Sequence, residues 1–224
     1  MLFRSQFYTE SQPSFGSEGT LEKWSYLGSY GSVDGTRVVY GVEQITESID
    51  DGTFDTQRDK QGYYLEYQGN LDDQLFLTAG VRRDENDDFD GETTFRISAA
   101  YLVSTDSGQV KLRGAYGSGF RAPSLYEIAY NSGFFAYPPA SEVSLSPETS
   151  AGHDLGVEWY GDNGLYLEAT YFDQLINDEI YFDQASYSGY LQDSGETDSR
   201  GIELALETPL SATLALTEIG RAHV

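Results

Sequence analysis

Apolar residues recur at every second position in several stretches of the chain, always on one side of the alternation. In QLFLTAGVRRD, Leu75, Leu77, Ala79 and Val81 alternate with Phe76, Thr78, Gly80 and Arg82. HDLGVEWYG sets Leu155, Val157 and Trp159 against Asp154, Gly156 and Glu158, and GLYLEATYFD sets Leu165, Leu167, Ala169 and Tyr171 against Tyr166, Glu168, Thr170 and Phe172. RGIELALETPL opposes Ile202, Leu204 and Leu206 to Glu203, Ala205 and Glu207. A period of two belongs to strands, whose successive side chains point to opposite faces. The pattern predicts roughly ten strands, many of about ten residues, each with one apolar face and one polar or small face. No signature recurs at a spacing of about 20–50 residues, so a solenoid or propeller is not indicated.

The connections carry more information than the strands. Short ones are GSVDG (31–35), GNLDDQ (69–74), STDSGQ (104–109), GDNG (161–164) and TPLS (208–211). Between them fall long ones at 46–60 (TESIDDGTFDTQRDK), 84–92 (DENDDFDGE), 121–149 and 177–198. Short and long take turns, which predicts an antiparallel up-and-down meander with tight turns at one end and long loops at the other. That is the layout of a transmembrane β-barrel, whereas a sandwich mixes its turns between both ends.

Composition sharpens this picture. A length of 224 residues suits one large all-β unit or two small domains. There is no apolar run of about 18 residues, and MLFRSQFYTE lacks the apolar core of a signal peptide. Hydropathy alone would therefore suggest a soluble protein, but barrel strands show only alternating polarity. The 24 glycines, 18 tyrosines and 12 phenylalanines against one methionine suit a barrel. A formal charge of −24 argues against nucleic acid, phosphate groups or an anionic surface as partner. With no cysteine there is no disulfide, thiolate zinc site or thiol nucleophile.

Candidate chemistry is sparse. His153 lies near Ser150 and Asp154, but these positions project alternately from a strand start and do not converge as a triad requires, so no enzyme is expected. Much of the acid falls in the long connections, including Glu47, Asp50, Asp51 and Asp55 in one and Asp84 to Glu92 in the next, as a solvated surface would have it. NDDFDG places Asn86, Asp88, Asp90 and Gly91 at the spacing of an EF-hand start, yet the twelfth position is Ile97, where a bidentate Glu is required. No cofactor is expected. Calcium held by bridged carboxylates of Asp87, Asp88, Asp90 and Glu92 is the one metal expectation, because hard oxygen ligands suit it.

One stretch departs from plain alternation: YGSGFRAPSLYEIAY, in which Gly117, Gly119, Phe120, Arg121, Ala122 and Pro123 precede Leu125, Tyr126 and Glu127. It resembles the motif with which a barrel strand ends in TonB-dependent outer-membrane receptors. SLSPETSAGHDLGVEW, with Pro147 and Glu148, is similar to that family's Leu-x-Pro-Glu-x-Ser segment; an asparagine that precedes it in the family is missing from SEVSLSPE. YFDQLINDEI resembles its Tyr-Phe and Ile-x-Asp-x-Ile element, and SGETDSRGIELAL, with Arg200, Gly201 and Glu203, its Arg-Gly-Ile/Val-Glu strand start. The region around 62–89 is most like the cobalamin and siderophore receptors.

Each motif also has a physical reading. Pro123 removes a ladder donor and pushes Ala122 toward extended backbone, so the strand ends there. Gly117 and Gly119 permit a bend or a close approach. Arg121 is expected to pair with a loop carboxylate rather than to touch ligand, and Pro147 with Glu148 restarts the next strand. Tyr130, Phe134, Phe135 and Tyr137 in the long loop offer either a ligand-contact surface or packing among loops.

The resemblance implies a cell outer membrane location in a Gram-negative bacterium, lipid around the barrel, and TonB-energised uptake of a scarce small molecule such as a ferric siderophore or cobalamin. It implies a TonB partner engaged through a plug domain that has no counterpart in these residues. A plug-less porin or adhesin is the alternative. Plugged transporters of this kind have about 22 strands, so 1–217 is read as an incomplete barrel. Residues 218–224, EIGRAHV, back-translate to a common sequencing-adapter read and are expected to be an assembly artefact, which would leave His223 without a role.

Overall fold

A computed structural model describes the backbone of residues 2–9, 12–32, 35–211 and 214–223, with side chains from residue 16 onward. Eleven strands form one sheet: β1 (Leu2–Thr9), β2 (Gln12–Gly31), β3 (Arg37–Asp50), β4 (Asp55–Leu71), β5 (Leu75–Asn86), β6 (Glu92–Thr105), β7 (Gly108–Arg121), β8 (Glu148–Gly161), β9 (Tyr166–Asn177), β12 (Glu196–Ser211) and β13 (Leu214–His223). Their order in the sheet is their order in the chain, and each described pairing is antiparallel. The two remaining strands, β10 (Ile180–Phe182) and β11 (Tyr190–Gln192), form a separate hairpin between β9 and β12. One α-helix, α1 (Leu125–Ser132), and a single 3-10 turn, Ala140–Glu142, lie between β7 and β8 of an otherwise all-β meander.

Period-two alternation places the apolar set on one face. Leu155, Leu204 and Ile97 stand there at 60%, 56% and 54% exposure, a degree of apolar exposure that needs a covering medium. Among the described residues the buried apolar side chains are Leu125, Ala140 and Ile180, together with Pro123. All of them lie in the segments that join β7 to β8 and β9 to β12. The sheet itself therefore has no apolar core, as a barrel wall does not.

The polar face is the concave one. Helix α1 follows β7 directly, yet it touches β3 and β4, which in a flat sheet would lie about 14 Å or more away at about 4.8 Å per strand. The Tyr126 ring sits 5.7 Å from Phe54, in the β3–β4 turn. The sheet must curl to allow this. It does not close, since β1 and β13 are the two ends of the strand order.

Two of the long connections are shorter than the sequence suggests. β3 runs to Asp50 and β4 starts at Asp55, while β5 runs to Asn86 and β6 starts at Glu92, so tight turns at 51–54 and 87–91 cap strands that extend well past the apolar band. Apart from Ile49 the side chains on both faces of these extensions are polar, which erases the alternation on which strand recognition depends. Ladder pairs and side chains hold them instead, as where Thr46 Oγ1 donates to Asp59 Oδ1 at 2.6 Å. The Asn86 side chain accepts from Asp88 N and Phe89 N at 2.9 and 3.0 Å and so shapes its turn. TPLS is also strand, because β12 continues to Ser211; residues 212–213, and the centre of GSVDG at 33–34, lie outside the described residues. Residues 218–223 continue β13 in register with β12, with Arg221 paired to Glu203.

Candidate functional site at the loop rim

The two connections that do fold as loops, 122–147 and 178–195, meet over the concave face. The first begins where β7 ends. Pro123 stops the ladder and Ser124 starts α1: Ser124 Oγ accepts from Glu127 N at 3.2 Å, and Glu127 Oε2 accepts from Ser124 N at 2.7 Å. This reciprocal capping box is legible in S-L-Y-E, so the chain leaves the sheet through a helix as well as a strand end. Arg121 forks onto Glu148, with Nε and Nη2 donating at 2.7 and 2.6 Å, and reaches Glu127 at 3.1 Å. It thereby ties the last residue of β7 to the first of β8 and to the first turn of α1.

Arg58 is the residue that sequence reasoning missed. Its side chain is 2% exposed. Nε donates to Glu47 at 2.7 Å and Nη1 to the Pro123 carbonyl at 2.8 Å and to Asp88 at 3.3 Å, while the guanidinium lies 5.6 Å from the Phe89 ring centre. Lys60 donates to the other oxygen of Glu47 at 2.7 Å. Nothing in TQRDK distinguishes this arginine from a solvated one; only the curl of the sheet brings the segment between β7 and α1 over it. Beside it lies a cleft of about 680 Å³ bordered by Ile45, Ile49, Arg58, Phe89, Leu125 and Tyr126, with Phe120, Arg121 and Ala122 at its edge.

The second loop packs on the first through aromatic rings and a few polar contacts. Tyr130 stands 5.8 Å from Phe182 and 5.7 Å from Tyr190, both edge-on, and Tyr126 adds a 6.3 Å contact to Tyr190. Burial raises the Tyr126 and Tyr190 phenols above their ordinary value, with Asp51 adding to the effect at Tyr126. Asn131 completes the edge of β11 as a strand would: Nδ2 donates to Tyr190 O at 2.7 Å and Oδ1 accepts from Tyr190 N at 2.8 Å. The approach is so close that a Cβ at Gly189, where φ is +139°, would lie 2.7 Å from Asn131 Oδ1 and 2.8 Å from Ala140 Cβ. Asp183 holds the hairpin head. It accepts from the Ser186 and Ser188 hydroxyls and from the Ser186 and Ala185 amides, which keeps its carboxyl well below the usual range. Gln192 closes the other side, exchanging bonds of 2.9 and 2.8 Å with Ser146, and Ile180 N donates to Glu148 at 2.6 Å.

The expected ligand-contact residues therefore separate. Tyr130 is packed between loops, and Tyr137 is tied to the second loop by its amide, 3.2 Å from Ser188 O, and by its hydroxyl to Ser186 O. Phe134 and Phe135 stand out at 92% and 60% exposure. Gly117 and Gly119 stay in register with β8, while the ladder to β6 stops at Gly117; a Cβ would come within 3.1 Å of Phe95 O and 3.0 Å of Ser150 Oγ respectively. Gly201 leaves room for the Phe172 ring, 2.9 Å from where its Cβ would be. Arg200 lies opposite Asp173. Pro147 precedes β8 as expected.

Among the described residues no three His, Asp or Glu side chains gather as a metal-holding group. Asp88 turns to Arg58, and Glu92 faces Asp84 across the ladder, while Asp87 and Asp90 are exposed. Ser150 lies across from Gly119 on one face and His153 across from Tyr116 on the other, and Asp154 is engaged by Arg113 at 2.8 Å, so these three do not form a triad.

Toward the turn rim the concave face carries a charge network. Glu158 and Glu168 are direct ladder partners, an arrangement that repels unless cations intervene. Lys111 and Arg113 Nε reach Glu158 at 3.0 and 2.7 Å, and Arg113 Nη2 reaches Glu168 at 2.5 Å and Thr170 at 2.8 Å. Arg113 can lie across β8 because Gly156 is beneath it: a Cβ there would be 2.9 Å from the guanidinium carbon. Tyr166 donates to Glu168 at 2.6 Å and Tyr160 to Glu158. Among the described residues no buried side-chain nitrogen or oxygen lacks a partner.

A family model described as TonB dependent receptor-like, beta-barrel matches residues 2–220. The Vitamin B12 transporter BtuB of Vibrio cholerae serotype O1 is 29% identical over 175 residues, covering 75% of this chain and 26% of the relative. BtuB of Photobacterium profundum is 25% identical over 144 residues, 63% of this chain and 22% of the relative. The chain thus spans about a quarter of the length of these relatives. Among solved structures, the siderophore receptor PirA from Pseudomonas aeruginosa superposes with a TM-score of 0.69 at 18% identity, covering 93% of this chain and 44% of that one. A mutant of the ferric enterobactin receptor PfeA from the same organism gives 0.72 at 17%, covering 97% and 37%. At this identity the two structures show a shared fold.

Proposed function

This chain belongs to the TonB-dependent receptor-like β-barrel family, and from that premise we propose that it forms part of the wall and loop cap of an outer-membrane receptor for a scarce small molecule. The ligand classes are a corrinoid, as the name of the BtuB relatives has it, or a ferric siderophore, as the names of PirA and PfeA have it. The observation that carries the reading is the cap itself. Two loops far apart in sequence fold together over the concave polar face and keep Phe134 and Phe135 exposed, an arrangement suited to meeting a ligand from outside. The convex face suits lipid: each Leu or Ile transferred from water to an apolar medium contributes about 1.5–3 kcal/mol.

The role is transport in this reading, with no reaction catalysed; the Gram-negative outer membrane is its location, and TonB is the energising partner through the rest of the full-length protein. The test is to express the full-length receptor in two Gram-negative hosts, one lacking its cobalamin transporter and one its siderophore receptors, each with and without TonB. Growth on limiting cobalamin or limiting iron that requires TonB is expected. Growth in neither condition, or growth that ignores TonB, overturns the reading, the latter in favour of a plug-less pore.

A further inference from the structure

We propose that Arg58 is the anchor that sets where the cap stands over the concave face, and that the two loops move as one body when this anchor is lost. The ligand reading above is not needed for this. Three segments meet at one guanidinium: the β3–β4 hairpin through Glu47, the β5–β6 turn through Asp88 and Phe89, and the entry to α1 through the Pro123 carbonyl. Arginine can do this because its planar fork presents donors in several fixed directions, which a lysine ammonium does not. The side chain is 2% exposed, so its donors have no water to turn to.

The remaining ties of the cap divide into two kinds. Asn131–Tyr190, Tyr137–Ser188, Gln192–Ser146 and the rings of Tyr130, Phe182 and Tyr190 join loop to loop. Arg121 with Glu148 and Glu127, and Ile180 N with Glu148, join the cap to the ends of β7 and β8, where the chain leaves the sheet. Against the opposite wall, β3 and β4, the polar tie is Arg58 to Pro123, with the Tyr126–Phe54 ring contact beside it. Loop-to-loop bonds make a body, the β7–β8 end makes a pivot, and Arg58 fixes the angle. It is a positioning residue, acting on the cap through Pro123.

The chain contributes no cysteine, which suits paired spin labels in the full-length receptor. One pair, Ser132→Cys with Gln74→Cys, measures the cap against the turn rim; a second, Ser132→Cys with Gln184→Cys, measures one loop against the other. In Arg58→Met the first distance distribution is expected to broaden and shift to longer separations, while the second stays as in the parent. Arg58→Lys keeps the buried charge beside Glu47 but not the fork, and is expected to give the same shift in a folded barrel; it decides the matter should Arg58→Met fail to assemble. An unchanged first distribution in Arg58→Lys overturns the anchor. A second distribution that broadens together with the first overturns the single body.

Discussion

The charged wall near the turn rim and the cap at the loop rim are both built from polar side chains, yet they are held in different ways. In the wall, Lys111, Arg113, Glu158 and Glu168 sit on three adjacent strands, and the ladder register alone brings them together. Each carboxylate there has at least two donors, so the network is redundant. In the cap, Asn131 meets Tyr190 across 59 residues and Arg58 meets Pro123 across 65. No ladder enforces these meetings, and each depends on one side chain or one missing side chain. Redundant contacts tolerate loss of a donor that serves one glutamate, whereas Arg113, which bridges both glutamates, and the single contacts of the cap have no substitute.

The largest effect is expected where redundancy is weakest in the wall. Arg113→Met leaves Glu158 and Glu168 facing each other directly. Because the Arg113 side chain is 27% exposed, the loss should fall below that of a fully buried pair, at about 2–3 kcal/mol, read from urea unfolding of the full-length receptor in lipid vesicles. A loss under about 0.5 kcal/mol would mean that Lys111 and the tyrosines carry the wall without it.

A smaller effect, confined to the cap, is expected for Gly189→Ala. The new Cβ meets Asn131 and Ala140 on a backbone with φ of +139°, at about 1–2 kcal/mol. Limited proteolysis should find 122–147 and 178–195 opened together with the unfolding midpoint of the barrel unmoved. Cleavage of one loop alone would show that they are separate units.

The smallest is a pH effect at Asp183. Its folded carboxyl titrates below the usual range, so its contribution is complete above the unfolded value of about 4 and is lost as pH falls through the lower folded value. Protease susceptibility of 178–195 should therefore stay flat down to about pH 4 and rise below it. Asp183→Asn should raise susceptibility at neutral pH and flatten the acid response; an unchanged response in that variant removes Asp183 from the account.

Much of this molecule is written in local pattern. Leu155, Val157 and Trp159 against Asp154, Gly156 and Glu158 are enough to predict a two-faced strand, and the exit at Pro123 and the restart at Glu148 fall where the motif places them. The extensions at 46–50 and 55–60 are illegible as strand because Thr46, Glu47, Arg58 and Asp59 put polar groups on both faces and Ile49 alone sets no alternation. α1 was hidden by a motif that reads as a strand end, although Ser124 and Glu127 signal its cap.

By itself, then, the amino-acid order determined the strands that face an apolar medium, their up-and-down succession and the point where β7 ends, since each depends on neighbours within about ten residues. Tertiary structure alone decided which way the sheet curls, that α1 turns inward onto β3 and β4, and that Arg58, Asn131 and Gly189 matter more than the arginines and glycines around them. Those outcomes depend on partners that only the curvature of the sheet brings within reach, and no periodicity along the chain records that distance.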